Sequence, residues 1–164
     1  MSKEGNLERS PRPEITLQPV AEADIDTYLR LEKRVEGRTY TATQNHEEAA
    51  EEFTQGPMYF IRLGDKIVGT ISYSTKEDGS VYLNGLAIDP EFQGQGVGRA
   101  AMQQFLDQVK DAPSIWLVVH PDNTRAIELY QSFGFAVTDR KEDYHGDGEP
   151  RIVLTRDQSK NSNL

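Results

Sequence analysis

The chain of 164 residues contains no cysteine, which excludes a disulfide framework, a thiolate metal site and a cysteine nucleophile. Histidine is scarce too. His46, His120 and His145 stand far apart with no short ligand spacing, so no metal is expected. No apolar run approaches the roughly 18 residues needed to span a bilayer. The polar start Met1-Ser2-Lys3-Glu4-Gly5-Asn6 carries no apolar signal segment. No membrane partner is expected, and a cytoplasmic location is the default. Basic residues are in deficit, 18 Lys and Arg against 27 Asp and Glu, for a net charge of −9. A nucleic-acid backbone demands basic groups to displace its counterions, so no nucleic-acid partner is expected either. The acidic balance suits a cationic partner.

What is present is one domain's worth of alternating periodicities. Residues 1–13 carry two prolines, mixed charges and one large aliphatic residue, Leu7, and read as a disordered leader; 157–164 read as a flexible tail. Between them, at 14–156, Ile15–Val20 alternates as a first strand, and Ile25, Leu29, Leu31 and Val35 mark a helix over about 23–35. Asn45, with Glu48 three residues on, reads as the cap of a second helix whose glutamate reaches back, ending before Gly56. Met58–Leu63 and Lys66–Ser74 are strands joined by the tight turn Gly64-Asp65, and Val81–Ile88 is a further strand. A helix over Gly98–Lys110, an apolar strand over Ile115–Val119, a short helix over Thr124–Phe133 and strands over Phe135–Lys141 and Arg151–Thr155 complete the order βααβββαβαββ. This is a mixed α/β layer fold.

The most informative stretch follows the Val81–Ile88 strand: Asp89-Pro90-Glu91-Phe92-Gln93-Gly94-Gln95-Gly96-Val97-Gly98-Arg99. Three alternate glycines open a helix there, and successive N–H groups at a helix start make an anion site. A dinucleotide fingerprint would place a third glycine where Arg99 stands. A P-loop would need Lys-Ser/Thr where Arg99-Ala100 stands. The hexad Gln93-Gly94-Gln95-Gly96-Val97-Gly98 behind Leu86-Ala87-Ile88-Asp89-Pro90 instead resembles the acetyl-CoA loop of the GNAT superfamily of N-acetyltransferases. Asn123-Thr124-Arg125-Ala126-Ile127-Glu128-Leu129-Tyr130 and Phe133-Gly134-Phe135 are similar to that family's later motif.

The resemblance implies a central, mostly antiparallel mixed sheet flanked by helices, and acetyl-CoA as acetyl donor. It implies that backbone groups of Leu86, Ala87 and Ile88 pair with the pantetheine arm, that amides from Gln93 through Gly94, Gln95, Gly96, Val97 and Gly98 to Arg99 hold the pyrophosphate, and that Asn123 touches the arm. Arg99 and Arg125 would face phosphates, or be solvated only. Tyr130 stands where many members keep the acid for the departing thiolate. The chemistry is amine attack on a thioester, and without cysteine the expected route is direct attack in a ternary complex.

The base is less legible. Some members use a strand carboxylate where Tyr82 stands here, and the amide Asn84 is no base. A water chain, or a carboxylate such as Glu32 or Glu36, fits better, with Asp89 also to be tested. Residues 22–56 hold nine acids against four bases. Glu47, Glu48, Glu51 and Glu52 read first as a solvated helix face, while Glu32, Glu36 and Tyr40 lie where the resemblance puts the acceptor channel. The last loop, Asp143 to Leu154, is similar to the hairpin of protein N-terminal acetyltransferases, where a tyrosine, here Tyr144, helps grip the peptide; His145 and Pro150-Arg151 depart from that pattern. Three readings follow: acetylation of a peptide or protein amine, acetylation of a small polycation such as a polyamine or aminoglycoside, or a non-catalytic CoA-binding regulatory domain. A homodimer is a family expectation.

Overall fold

The computed structural model describes residues 13–159. Most of the expected leader and the last five residues of the expected tail lie outside that range. The elements come in the expected order: β1 (Ile15–Pro19), α1 (Ile25–Val35), α2 (His46–Phe53), β2 (Met58–Leu63), β3 (Lys66–Thr75), β4 (Val81–Ile88), α3 (Val97–Gln108), β5 (Ser114–Val119), α4 (Thr124–Ser132), β6 (Ala136–Lys141) and β7 (Arg151–Asp157). Seven strands form one sheet in the order β1-β2-β3-β4-β5-β7-β6. Every neighbouring pair is antiparallel except β4–β5.

The period of two along β2 builds the layers. Met58 and Phe60 face a small cluster with Tyr28 of α1 and Ala49 of α2. Tyr59, Ile61 and Leu63 face the main core, where Val97, Ala101, Met102 and Phe105 of α3 meet Val68, Ile71, Leu83, Ile115, Leu117 and Leu154. The first two helices thus cover one side of the sheet and α3 and α4 the other. At α2 the Asn45 Oδ1 accepts the Glu48 N–H at 2.9 Å as expected, but the Glu48 carboxylate takes the Gln44 N–H at 2.9 Å instead of reaching to Asn45.

The carboxyl end of the domain needs correction. Strand β7 runs on to Asp157, and Gln158 is buried with its amide donating to the carbonyls of Val109 and Ala112 at 3.0 and 2.8 Å. The ordered fold therefore passes the expected boundary at residue 156. The polar composition of that stretch hid a glutamine that closes the α3–β5 turn.

Two contacts fix the carboxyl end of β4. Gly69 of β3 lies so close that a Cβ there would stand 2.4 Å from the Ala87 carbonyl oxygen. Arg34 of α1 grips Asp89, just past β4, through Nε–Oδ2 at 2.6 Å and Nη2–Oδ1 at 2.8 Å. Asp89 also accepts the Glu91 N–H at 2.9 Å, and the Arg34 hydrogen bond, with that of Glu91, holds its carboxyl below the usual range. Gly69→Ala should push β3 from β4 and cost about 1–3 kcal/mol in urea unfolding. Because the Asp89 pKa is depressed, its contribution is present above the ordinary aspartate pKa and fades as pH falls. Arg34→Gln should therefore lower the urea midpoint at pH 7, and the gap to wild type should close below about pH 4.

Candidate active site

Strand β4 pairs with β3 from Val81 to Ile88 but with β5 only at Val81–Ile115 and Tyr82–Trp116. Beyond that point the two parallel strands part, and one edge of β4 is left open over Leu83–Ile88. The β3–β4 register slips between Ser72–Gly85 and Tyr73–Leu83, leaving Asn84 as an extra residue, which bulges the strand at the start of the split. Two clefts meet there.

The first cleft, about 600 Å³, runs along the open edge to the start of α3. Of the residues expected at the cofactor, Leu86, Ala87, Ile88, Gln93, Gly94, Gly96, Gly98, Arg99, Asn123 and Arg125 line it. Gln95 and Val97 do not. The Gln95 amide donates to the Glu91 carbonyl at 3.1 Å, and the Val97 side chain is buried in the main core. Gly94 and Gly96 take φ of +80° and +86°, which favours glycine, and the first amides of α3 have no intrahelical acceptor. A Cβ at Gly98 would stand 3.4 Å from Leu129 Cδ2. Gln93 donates to the Ile88 carbonyl at 3.0 Å and closes the loop on the strand. Asn123 caps α4, its Oδ1 accepting the Ala126 N–H at 3.3 Å. Arg99 stacks on Phe133 and donates to Ser132 Oγ at 3.1 Å, while Arg125 Nη1 comes within 3.7 Å of a Cβ built on Gly94.

The second cleft, about 370 Å³, opens on the other side of the split. Glu32, Tyr40, Tyr82 and Asn84 line it; Glu36 and Tyr144 are not among its lining residues. Glu36 faces a separate hollow of about 310 Å³ and accepts from the Gln44 amide at 2.9 Å. Tyr144 is exposed with its ring edge-on to His145, and its hydroxyl borders Tyr82, whose own hydroxyl is pushed up in pKa by burial and then by Tyr144. One turn of helix separates Glu32 from Glu36, yet Glu32 is 1% exposed and Glu36 is on the surface.

Side chains with no expected role at the site complete this cleft. Glu52, expected on a solvated face, accepts from Tyr28 Oη at 2.8 Å and from Thr43 Oγ1 at 2.6 Å. Its distance from Glu32 along the chain concealed that the two share one wall. On the opposite wall His120 is 2% exposed. Its Nδ1 accepts the Asp122 N–H at 3.0 Å, so the ring proton lies on Nε2, which donates to Glu149 Oε1 at 2.6 Å. Arg38 bridges Asp122 and Glu149, and the His120 bond, then Arg38, holds the Glu149 carboxyl below its usual range. Buried Arg151 ties the β6–β7 loop to Thr41 Oγ1 at 3.1 Å and Asp147 at 3.2 Å. Nothing in sequence spacing foretells these contacts, two of which, Arg38 to Glu149 and Arg151 to Thr41, join residues about 110 apart.

Tyr130 lines both clefts and is 7% exposed. Its hydroxyl makes no hydrogen bond among the described residues, and burial alone pushes its pKa up, so it is a neutral phenol at pH 7. The site thus offers an amide-rich, glycine-walled slot for an anionic ligand, a carboxylate-lined slot for a cation, and an uncommitted proton between them.

The chain is similar to known acetyltransferases in part of its sequence and in its fold. The [Ribosomal protein bS18]-alanine N-acetyltransferase of Escherichia coli strain K12 is 36% identical over 62 residues, 37% of this chain and 42% of that relative. The chain thus matches less than half the length of that relative. A spermidine N-acetyltransferase chimera from Vibrio cholerae and hSSAT superposes with a TM-score of 0.76 at 20% identity, covering 92% of this chain and 99% of that one. A GNAT family acetyltransferase from Elizabethkingia anophelis, with acetyl-CoA bound, superposes with a TM-score of 0.69 at 19% identity over 87% of this chain and 97% of that one. Both structural likenesses are of fold. The family model described as Acetyltransferase (GNAT) family matches residues 23–135, more than half the sequence, and the chain belongs to that family.

Proposed function

We propose that this chain is an acetyl-CoA-dependent N-acetyltransferase that acetylates a primary amine by direct attack in a ternary complex. The observation that carries the reading is Tyr130, whose unpartnered hydroxyl stands where the two clefts meet. The first cleft fits acetyl-CoA: the open edge of β4 pairs an extended arm, and the glycine loop with the first amides of α3 receives a pyrophosphate. When bound there, acetyl-CoA supplies an acetyl thioester whose sulfur departs as a thiolate. The chain's own residues do the rest. Backbone groups of Leu86, Ala87 and Ile88 orient, Gly94 to Arg99 bind, and Arg125 adds positive charge beside Gly94. Tyr130 Oη holds a proton that no acceptor among the described residues claims, so it is free for a leaving thiolate. The chain has no cysteine to carry an acetyl group covalently, which supports transfer straight to the amine.

The acceptor reading is a peptide or protein amine, supported by the likeness to the bS18-alanine enzyme and by the β6–β7 loop that Arg151 and Glu149 hold beside the second cleft. A second reading, a polyamine, is favoured by one observation. Neither Glu32 nor Glu52 has a Lys or Arg partner among the described residues, so the wall they share awaits a positive charge. The likeness to a spermidine enzyme is compatible with it. The protein is expected to act in the cytoplasm, and a homodimer is the family expectation.

Acetyl-CoA consumption measured with an N-terminal alanine peptide, spermidine and an aminoglycoside should find turnover with at least one of them. Absence of turnover with all three, alongside CoA binding, would leave a binding domain. A polyamine rate should fall with added salt, since a Debye length of about 10 Å at 0.1 M screens the carboxylates, whereas a neutral peptide should be little affected. Tyr130→Phe should cut kcat by roughly 100-fold with acetyl-CoA affinity by calorimetry unchanged. Equal kcat would remove Tyr130 from the mechanism.

A further inference from the structure

Six residues line both clefts: Thr39, Tyr40, Leu86, Asn123, Ala126 and Tyr130. Two of them are phenols, and only one has a hydrogen-bond partner among the described residues. Tyr130 has an uncommitted proton. Tyr40 Oη has committed its proton to Glu32 Oε2 at 2.8 Å, so what remains open on that oxygen is its lone pairs. One phenol is poised to give a proton and the other to take one.

We propose that Tyr40 and Glu32 form the proton-accepting arm of the transfer, with the acceptor ammonium passing a proton to Tyr40 Oη while Tyr40 passes its own to Glu32 Oε2. The inference rests on the acetyltransferase reading. The step balances without any further reactant. An N–H bond breaks and an O–H bond forms at Tyr40, the former Tyr40 O–H breaks, and a new one forms at Glu32. The amine loses its positive charge and becomes nucleophilic, and the carboxylate loses its negative charge. Tyr40 touches the acceptor; Glu32 acts through it.

Glu32 is built for this role. It is held in place by the Thr43 N–H, which donates to Oε1 at 2.8 Å, leaving Oε2 to Tyr40. The groups that face it are Tyr28 from its own helix, Tyr40 and Thr43 from the following loop, and Glu52 from α2. None is a cation, and no Lys or Arg forms an ion pair with Glu32 among the described residues. Burial raises its carboxyl pKa, the Thr43 and Tyr40 bonds oppose the rise, and the Glu52 carboxylate adds to it. A carboxylate raised in this way is a better match to an amine than an ordinary one. Three other carboxylates are set aside by their place or their contacts. Glu36 lines neither cleft, Asp89 is gripped by Arg34, and Glu149 is gripped by His120 and Arg38. His120 itself has both ring nitrogens engaged.

Two measurements on full-length protein test the relay. In the ligand-free protein, carbon-detected NMR titration of the glutamate carboxyls should show one resonance titrating above the usual range. That resonance should vanish in Glu32→Gln and move further up in Tyr40→Phe, because the carboxylate loses a donor. With acetyl-CoA and the best amine of the panel, the wild-type kcat should rise with pH through the Glu32 titration. Glu32→Gln keeps an acceptor for Thr43 but should lose that acidic limb and roughly 100-fold in kcat, and Tyr40→Phe should match it. A limb that survives in Glu32→Gln, or a Glu32 carboxyl that titrates identically in Tyr40→Phe, would overturn the relay alone. Wild-type protein that turns over no amine would overturn the acetyltransferase reading, and the relay with it.

Discussion

The parting of β4 from β5 is the constraint on which the rest of the site depends. A sheet normally satisfies both edges of an interior strand, yet here β4, fourth of seven, keeps its β3 partner and loses β5 after two residue pairs. The open groups of Leu83–Ile88 face a cleft rather than another strand. Hydrogen bonding that a seamless sheet would consume is thereby left available, as the proposed extended ligand requires. Everything nearby serves that split: the bulge at Asn84 starts it, the close approach of Gly69 to Ala87 braces its far side, and the Arg34–Asp89 pair pins its end. Helix α4 then brings Tyr130 to the seam.

Electrostatics divide the two clefts. On the proposed function, an acidic chain receives an anion in one and a cation in the other. Backbone dipoles solve the first problem, since the helix start and positive-φ glycines concentrate partial positive charge without adding a side chain. The second wall does the reverse. Glu32 and Glu52 are surrounded by hydroxyls and one amide, donors that stabilise a carboxylate without cancelling its field. Cations near the other wall, Arg38 and Arg151, are already engaged by Asp122, Glu149 and Asp147. Among the described residues, Glu32 and Glu52 therefore share one wall without a Lys or Arg partner.

Legibility followed the range of the interactions. The strand ends at Met58, Leu63, Val81 and Ile88 were readable because alternation and turn glycines are local signals. The glycine loop and the Asn123–Tyr130 helix were readable because loop and helix-start geometry is set by neighbours in sequence. The first helix was readable as a helix, and its two glutamates were not separable. Glu32 and Glu36 share a sequence context and differ only in whether residues 40–43 fold back over them. Glu52 looked solvated for the same reason, and Gln158 looked like tail because its acceptors lie in the turn after α3.

The sequence by itself determined the order of elements and the absence of cysteine chemistry, and its motifs carried the resemblance to the family. The first two rest on composition and on contacts within a few residues. Only the tertiary structure decided which carboxylates line the second cleft, that His120 is a fastener for Glu149, and that Tyr40 and Tyr130 share one seam, the first hydrogen-bonded to Glu32 and the second without a partner among the described residues. The physical reason is that a proton's donor and acceptor are chosen by distance and burial. In this chain those are set between segments tens of residues apart, joined by a sheet that opens at one strand.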